Sequence, residues 1–346
     1  MSTRDYIALI GASPRDRLDA FLATANRLGA PIGNIEKDFW VCWTLDALYH
    51  QLPHGQPRLL FKGGTSLSKA YGLIDRFSED IDVTVFRDDL EQAISVEELE
   101  ALSNKKRRAK LDAIREACRA YITGPLRAAL TEIAAEATSG TGRVEVDDTD
   151  PDGQTLLIYY PEVEPRDGAY VRPVVRIESG AKSALDPNAA TVIRPYVADE
   201  IEGLDLAVSD VTTIEAERTF WDKVVIAHGL RRWFDRRGAL RQEGQRISRH
   251  YYDLHRLAAS QPGRLALADD ALGKDCVRHA RMFFDRPDYD LQSARPGTYA
   301  LVPHDAMTHA LRNDYENTKA MIFGDPPTFD HILASIAKIE AVLNGQ

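Results

Sequence analysis

The sequence predicts an α+β protein in two lobes: an N-terminal lobe mixing strands and helices over residues 1–205, and a mostly helical lobe over 206–346. Three observations predict it. Short runs rich in β-branched and aromatic residues recur at 58–61, 80–86, 155–160 and 171–179, with helical stretches between them. From Thr212 onward the pattern is mostly helical, most clearly over 214–230. No Gly/Ser-rich linker, internal repeat or low-complexity segment marks the junction, so the lobes are expected to pack together.

Residues 15–30 and 36–50 read as helices, the second with a wide apolar face through Phe39, Cys42, Trp43 and Leu45. Pro53, Gly55 and Pro57 punctuate the chain before a strand at 58–61. A helix opens near Thr65, directly after Gly63-Gly64, and Gly72 closes it. Residues 80–86 form the next strand. A long helical block spans 96–138, with a break expected at Gly124-Pro125, and Ser139-Gly140-Thr141-Gly142 ends it. Strands follow at 155–160 and 171–179, and Asp186-Pro187-Asn188 reads as a turn.

With 346 residues, 44% hydrophobic and 28% charged, the chain is ordinary globular material, and no run of eighteen apolar residues spans a membrane. The charged N-terminus lacks the apolar core of a signal peptide. Cys42, Cys118 and Cys276 are odd in number and far apart, which argues against a disulfide framework or zinc cluster. They read as buried small hydrophobes in a reducing cytoplasm. A net charge of −10 speaks against a general nucleic-acid coat protein. The charge is uneven, however. Between Lys223 and Arg256 nine Lys or Arg face three acids (Asp235, Glu243, Asp253), and Asn104–Lys110 is a second basic block. An acidic run covers Glu145–Asp152. Such blocks are either solvated helix faces or a local footprint for a polyanion.

Chemistry concentrates between 61 and 85. Alternation along the strand puts Asp80, Asp82 and Thr84 on one face, and Ile81, Val83 and Val85 on the other. Two neighbouring carboxylates repel unless a cation sits between them. Mg²⁺ is bound by one or two carboxylates plus substrate phosphates, and such a site supports in-line phosphoryl displacement. Gly63 and Gly64 let a phosphate approach the backbone, the following helix offers free N–H groups, and Thr65 and Ser66 add hydroxyls. Neither Asp-x-Asp nor Gly-Gly is specific alone; their order is.

Strand, Gly-Gly-hydroxyl turn, helix and Asp-x-Asp strand together resemble the DNA polymerase beta nucleotidyltransferase superfamily. That resemblance implies a mixed sheet with flanking helices and a third carboxylate on a neighbouring strand, for which Glu178 is the candidate; a solvated strand-end glutamate is the other reading. More narrowly, Lys62-Gly63-Gly64-Thr65-Ser66-Leu67 with Arg76-Phe77-Ser78-Glu79-Asp80-Ile81-Asp82 resembles the first motif of the AbiEii/AbiGii toxins, nucleotidyltransferases of type IV toxin–antitoxin and phage-defence systems. Ile35–Trp40 resembles the helix preceding that motif in one branch. Glu217–Lys223 resembles the family's lysine motif, and Arg249–Leu254 its last motif. The resemblance covers 35–257.

By that resemblance Gly63, Gly64 and Thr65 contact phosphate, Asp80 and Asp82 bind metal, Lys223 is the essential lysine and Asp253 the last-motif aspartate. An ammonium at Lys223 would neutralise triphosphate charge; Asp253 positions Lys223 or the acceptor. Arg76 and Ser78 can reach a phosphate, or Arg76 can pair with Glu79 or Asp80. Fifteen residues separate Gly64 from Asp80, which leaves the contacts of Ser66 and Lys69 open. Trp221, Tyr251 and Tyr252 either stack on a base or, as helical spacing favours, fill the core. The implied activity is Mg²⁺-dependent transfer of NMP from an NTP to RNA, at the 3′ end of tRNA, blocking translation; the implied partner is an antitoxin. The basic block 223–256 suits an RNA acceptor. A small-molecule nucleotidyltransferase of the antibiotic-modifying kind would use the acidic run instead. A non-catalytic binding module is the third reading, against which the intact Asp80 and Asp82 stand.

Overall fold

In the computed structural model, which describes residues 2–163, 173–241 and 246–345, three helices open the chain. They are α1 (Ser2–Ile10), α2 (Pro14–Leu28) and α3 (Ile32–Asp46). Local signals set α2: Ser13 caps its start by accepting from the Asp16 N–H at 3.1 Å, Pro14 takes the first position, and Gly29 ends it in the left-handed region. Helix α3 is buried almost all round and extends through a π-helical turn, Ala47–Gln51.

Strand β1 (Leu59–Lys62) leads into α4 (Gly63–Lys69), then β2 (Asp80–Val85). Helices α5 (Val96–Ala101), α6 (Asn104–Tyr121) and α7 (Arg127–Ala137) follow. The break expected at Gly124-Pro125 is a π-helical turn, Ile122–Leu126, that carries the chain from α6 into α7 with Ile122 and Leu126 buried. Proline there removes one donor, and the widened turn absorbs the loss. Strands β3 (Arg143–Val146), β4 (Thr155–Tyr159), β5 (Val174–Gly180), β6 (Asn188–Ile193) and β7 (Val208–Ile214) complete the sheet. Part of the 171–179 expectation, residues 171 and 172, lies outside the described residues.

The seven strands run β3-β4-β5-β2-β1-β7-β6, a mixed sheet. β2 pairs antiparallel with β1 and parallel with β5, and β1 pairs parallel with β7. One face of the centre is apolar, with Leu59, Phe61, Ile81, Val83 and Val85 all buried, while the other carries buried Leu60 beside Thr84, Asp82 and Asp80. Helix α3 packs on β5 and β7, and α6 on β5.

Three strands escape the sequence reading. β3 and β6 are the sheet's two edges, and each buries a single residue, Val144 and Ile193, so they lack the half-buried alternation that marks a strand. β7 occupies the start of the stretch read as helical from Thr212; its Val-Ser-Asp-Val-Thr-Thr-Ile is β-branched, and the helix begins only at Ala216.

Two compact units result: Met1–Ala70 with Phe77–Ile94 and Asn104–Ile214, and Tyr71–Arg76 with Ser95–Ser103 and Glu215–Gln346. The division falls at 214/215, nine residues beyond the expected 205/206, because β7 belongs to the sheet. The second unit is helical: α8 (Ala216–Arg237), α9 (Ser248–Ala259), α10 (Gln261–Ala268), α11 (Asp270–Phe283), α12 (Asp305–Lys319) and α13 (Phe329–Leu343). Helices α9, α10 and α11 pack on α8, while α12 and α13 pack on α9. Gly273 is needed for this, since a Cβ there would lie 2.5 Å from the Trp221 ring. Arg278 of α11 clasps Glu97 and Glu100 of α5, its Nε donating to Glu100 at 2.9 Å. Residues 71–76 join the same unit through a bridge between Arg76 and Ile322.

Candidate active site

The antiparallel register of β1 and β2 sets Lys62 opposite Asp82, so the chain leaves β1 at Gly63 directly beside that carboxylate. Gly63 has φ +80°, and a Cβ on it would lie 2.0 Å from Asp82 Oδ2. Both facts demand glycine, and the nearer demand is Asp82 itself. Lys62, the residue before α4, gives that helix no side-chain cap. The first N–H groups of α4 therefore have no side-chain acceptor there.

Thr65 and Ser66 are fully buried. The Thr65 hydroxyl lies 2.7 Å from Ser78 Oγ and also against the Asp80 carbonyl, while Ser66 donates to the Gly63 carbonyl at 2.9 Å. The Thr65 hydroxyl thus ties α4 to the start of β2, and the Ser66 hydroxyl closes the first turn of α4 on itself. Ser78 shares the Thr65 tie.

The parallel register of β2 and β5 pairs Asp80 with Arg176 and Asp82 with Glu178. Directly paired residues share a face, so Asp80, Asp82 and Glu178 stand together on one side of the sheet. Burial pushes the Asp80 carboxyl up to about 6, with Glu79, Glu178 and Asp82 adding to the rise and Lys37 opposing it. Arg176 lies 3.0 Å from Glu178 and 2.8 Å from Asp147, and Lys62 lies 3.8 Å from Asp82. Among the described residues no three His, Cys, Asp or Glu side chains are grouped to hold an ion by themselves.

The sequence reading assigns Lys37 and Arg176 no role at the site, and Glu79 only a pairing with Arg76. Lys37 is buried and donates to Glu79 at 2.7 Å, next to Asp80. It belongs to Glu36-Lys37-Asp38, three buried charges on an apolar helix. Glu36 accepts from the Val163 N–H at 2.7 Å; Asp38 accepts from Tyr196 N–H at 2.7 Å and pairs with Lys69 at 2.7 Å. Three adjacent charges within an apolar helix are the signal that could have found them, since such side chains are buried only when paired. Lys69 also lies over the Tyr196 ring at 3.5 Å, which commits it to the protein interior.

The second unit holds the other motif residues. Arg76 binds Asp253 through both ends of its fork, at 2.8 and 2.9 Å, and Lys223 reaches the same carboxylate at 2.7 Å. All three are buried. Asp253 is thus a partner of Arg76. Burial alone would raise the Asp253 carboxyl, yet Arg76 and Lys223 outweigh it and hold it well below the usual range. Burial lowers the Lys223 ammonium against the pull of Asp253, with Arg76 and Arg249 adding to the lowering. Half-buried His250 is driven well below its ordinary value by desolvation of its ring, then by Lys223 and Arg249. Asp253 thus binds Lys223 and Arg76 at once.

Trp221, Tyr251 and Tyr252 are core residues, 2%, 0% and 1% exposed, with no face left for a base. The basic block 223–256 is largely answered by acids: Arg231 by Asp235 at 2.9 Å, Arg237 by Asp288 at 2.6 Å, and Arg256 by Asp75 at 2.6 Å. Glu243 of that block lies outside the described residues. The acidic run is likewise engaged. Asp147 pairs with Arg176, and Asp150 accepts from the Gln154 N–H and the Thr155 hydroxyl, both at 2.8 Å.

The family model of the nucleotidyl transferase AbiEii toxins, Type IV TA system, matches residues 46–335. The chain belongs to this family. It is therefore a nucleotidyltransferase toxin, and a non-catalytic module is set aside. The AbiEii match runs well past 257, where the motif resemblance stops, so α10 to α12 and part of α13 belong to the common body; the helix motif at 35–40 precedes it. The structure is also similar to MenT4, a nucleotidyltransferase toxin from Mycobacterium tuberculosis H37Rv, with a TM-score of 0.57 at 16% identity. That alignment covers 94% of this chain and 90% of that one, and at such identity it speaks for the fold alone. No curated protein matches the chain.

Proposed function

We propose that this AbiEii-family enzyme transfers a nucleoside monophosphate from a Mg²⁺-bound NTP to RNA, at the 3′ end of tRNA, and so blocks translation. The observation that carries the reading is the electrostatics of Asp80. Three carboxylates share one face of β2 and β5, and burial first, then the charges of Glu79, Glu178 and Asp82, lift the Asp80 carboxyl to about 6, a rise that a cation on that face would offset. Asp80 and Asp82 would hold the ion, with Glu178 as third carboxylate once Arg176 releases it. Two carboxylates that need substrate phosphates to complete the shell suit Mg²⁺ brought in on the nucleotide. When bound, the ion stabilises charge on the attacking and leaving oxygens.

The protein's own part is placement. Gly63 and Gly64 open α4 beside Asp82, and its uncapped N–H groups suit a phosphate oxygen. Thr65 and Ser78 fix that turn against the start of β2, and Ser66 fixes Gly63 within it, which makes them positioning residues. Lys223, held by Asp253, is the cation that neutralises triphosphate charge, with Arg76 fixing Asp253 from the other side. The toxin family implies an antitoxin partner, and no helix among the described residues is long and apolar enough to cross a membrane. We place the enzyme in the cytoplasm, where tRNA and NTPs are.

The test is label transfer from each NTP in turn to total tRNA, with aminoglycosides as the competing acceptor class. Asp80→Asn should abolish transfer while the protein stays folded. Mg-NTP should raise the melting temperature of the unmodified protein and leave the variant where it was. An active Asp80→Asn enzyme would remove the metal assignment; transfer to aminoglycosides alone would remove the RNA one.

A further inference from the structure

The acceptor reading leaves open which surface holds the RNA, and the block that first suggested itself, 223–256, is mostly neutralised by its own acids. The second basic block behaves differently. Helix α6 begins Asn104-Lys105-Lys106-Arg107-Arg108-Ala109-Lys110, five cations in seven residues, with no acid in its first turn. Lys105, Lys106 and Arg108 are exposed. Among the described residues Lys105 and Arg108 take part in no ion pair.

This arrangement opposes the helix that carries it. The start of a helix is its positive end and favours acids there. Lys105 and Arg108, and Arg107 and Lys110, repel at three-residue spacing; Lys106 and Lys110 repel at four. The second half of α6 obeys the ordinary rule. Arg115 lies near Asp112 at 3.3 Å and Asp152 at 4.0 Å, and Arg119 pairs with Glu116 at 2.7 Å. The same helix is thus electrostatically satisfied where Gln154 donates to the Arg115 carbonyl at 2.9 Å, and self-repelling where it is exposed. A local conflict of this kind in an otherwise consistent fold marks a surface with work beyond folding.

We propose that the exposed basic start of α6 is the docking surface for the phosphate backbone of the acceptor RNA. The inference rests on the RNA-acceptor reading and adds its location. Charge decides the occupant. Five cations close together on a chain of net charge −10 complement a dense polyanion, and the transferase activity calls for a nucleic-acid acceptor at this scale. A membrane would need large apolar residues among the cations, whereas the only apolar residue among them is Ala109, and of the larger apolar side chains of α6 Leu111 is half-buried and Ile114, Cys118 and Tyr121 are buried.

The experiment compares full-length enzyme with its Lys105→Gln/Arg108→Gln variant, using total tRNA as the probe across a salt series. Each lost phosphate contact removes about 0.9 from the slope of log affinity against log salt, so the variant should lose about 2. Its KM for tRNA should rise at low salt, with kcat at saturating tRNA retained. Removing like charges from a helix start should leave the melting temperature equal or higher, so weaker binding cannot be misfolding. Arg237→Gln, in the neutralised block, should keep the original slope. A double variant with unchanged slope and KM overturns the location, whatever acidic protein that face then binds, while transfer to RNA by the unmodified enzyme still stands. An unmodified enzyme that neither holds tRNA nor labels it overturns the acceptor reading, and this inference with it.

Discussion

Replacing Gly63 by alanine tests the site at its tightest point. An added Cβ would lie 2.0 Å from Asp82 Oδ2, and ordinary contact begins near 3.4 Å, so the carboxylate or the turn must give about 1.4 Å. The backbone adds its own penalty, because φ is +80° and a residue with a Cβ pays roughly 1–2 kcal/mol there. Misplacing a reacting group by about 1 Å can cost on the order of 10²-fold in rate. Gly63→Ala should therefore lose about two decades of transfer and melt slightly earlier. Gly140→Ala separates the two effects. Gly140 has φ +85° in the same unit with nothing within 4 Å of its Cβ, so alanine there carries the backbone penalty alone. Label transfer from Mg-NTP, measured beside thermal melts of both variants, decides the matter. If Gly63→Ala transfers as fast as Gly140→Ala at comparable stability, the placement of Asp82 is irrelevant to the chemistry, and the metal argument falls with it.

Asp253→Asn would strand the buried cations Arg76 and Lys223, and removing one partner of such a cluster costs about 3–5 kcal/mol. Melting at neutral pH should drop by roughly 10 °C. The carboxyl is depressed in the folded state, so its contribution is complete above the unfolded value of about 3.9 and fades as pH falls below it. The gap between variant and unmodified protein should accordingly close in acid, and a gap constant with pH would refute the ionic origin. Lys37→Met should destabilise the sheet unit, and a cycle with Glu79→Gln should show a coupling of about 1–3 kcal/mol; strict additivity in urea melts would mean the pair contributes nothing.

The carboxylates were readable because they are local. Strand, glycine turn, helix and strand follow within 59–85, and consecutive elements tend to lie side by side, so the order in sequence is nearly the order in space. Glu178 lies about a hundred residues further on, and periodicity carries no register over that distance; only the superfamily resemblance nominated it. The edge strands β3 and β6 hid for the opposite reason, since strands exposed to water need not alternate.

Charge was the property least legible in sequence, and the two basic blocks show why. Counted along the chain, 223–256 is the stronger candidate for a polyanion, with nine cations against three acids. Folded, it is answered by Asp288 and Asp290 from far downstream and by Asp75 from far upstream. In the weaker-looking run at 105–110, Lys105 and Arg108 keep their charge, and the acids on their own helix come later, at Asp112 and Glu116, and serve Arg115 and Arg119. A formal charge becomes a field only after pairing is subtracted, and pairing is a tertiary property. Asp-x-Asp is different: what distinguishes Asp80 is burial together with carboxylates that sit one residue away, two residues away, and on the adjacent strand, the first two of which are local in sequence.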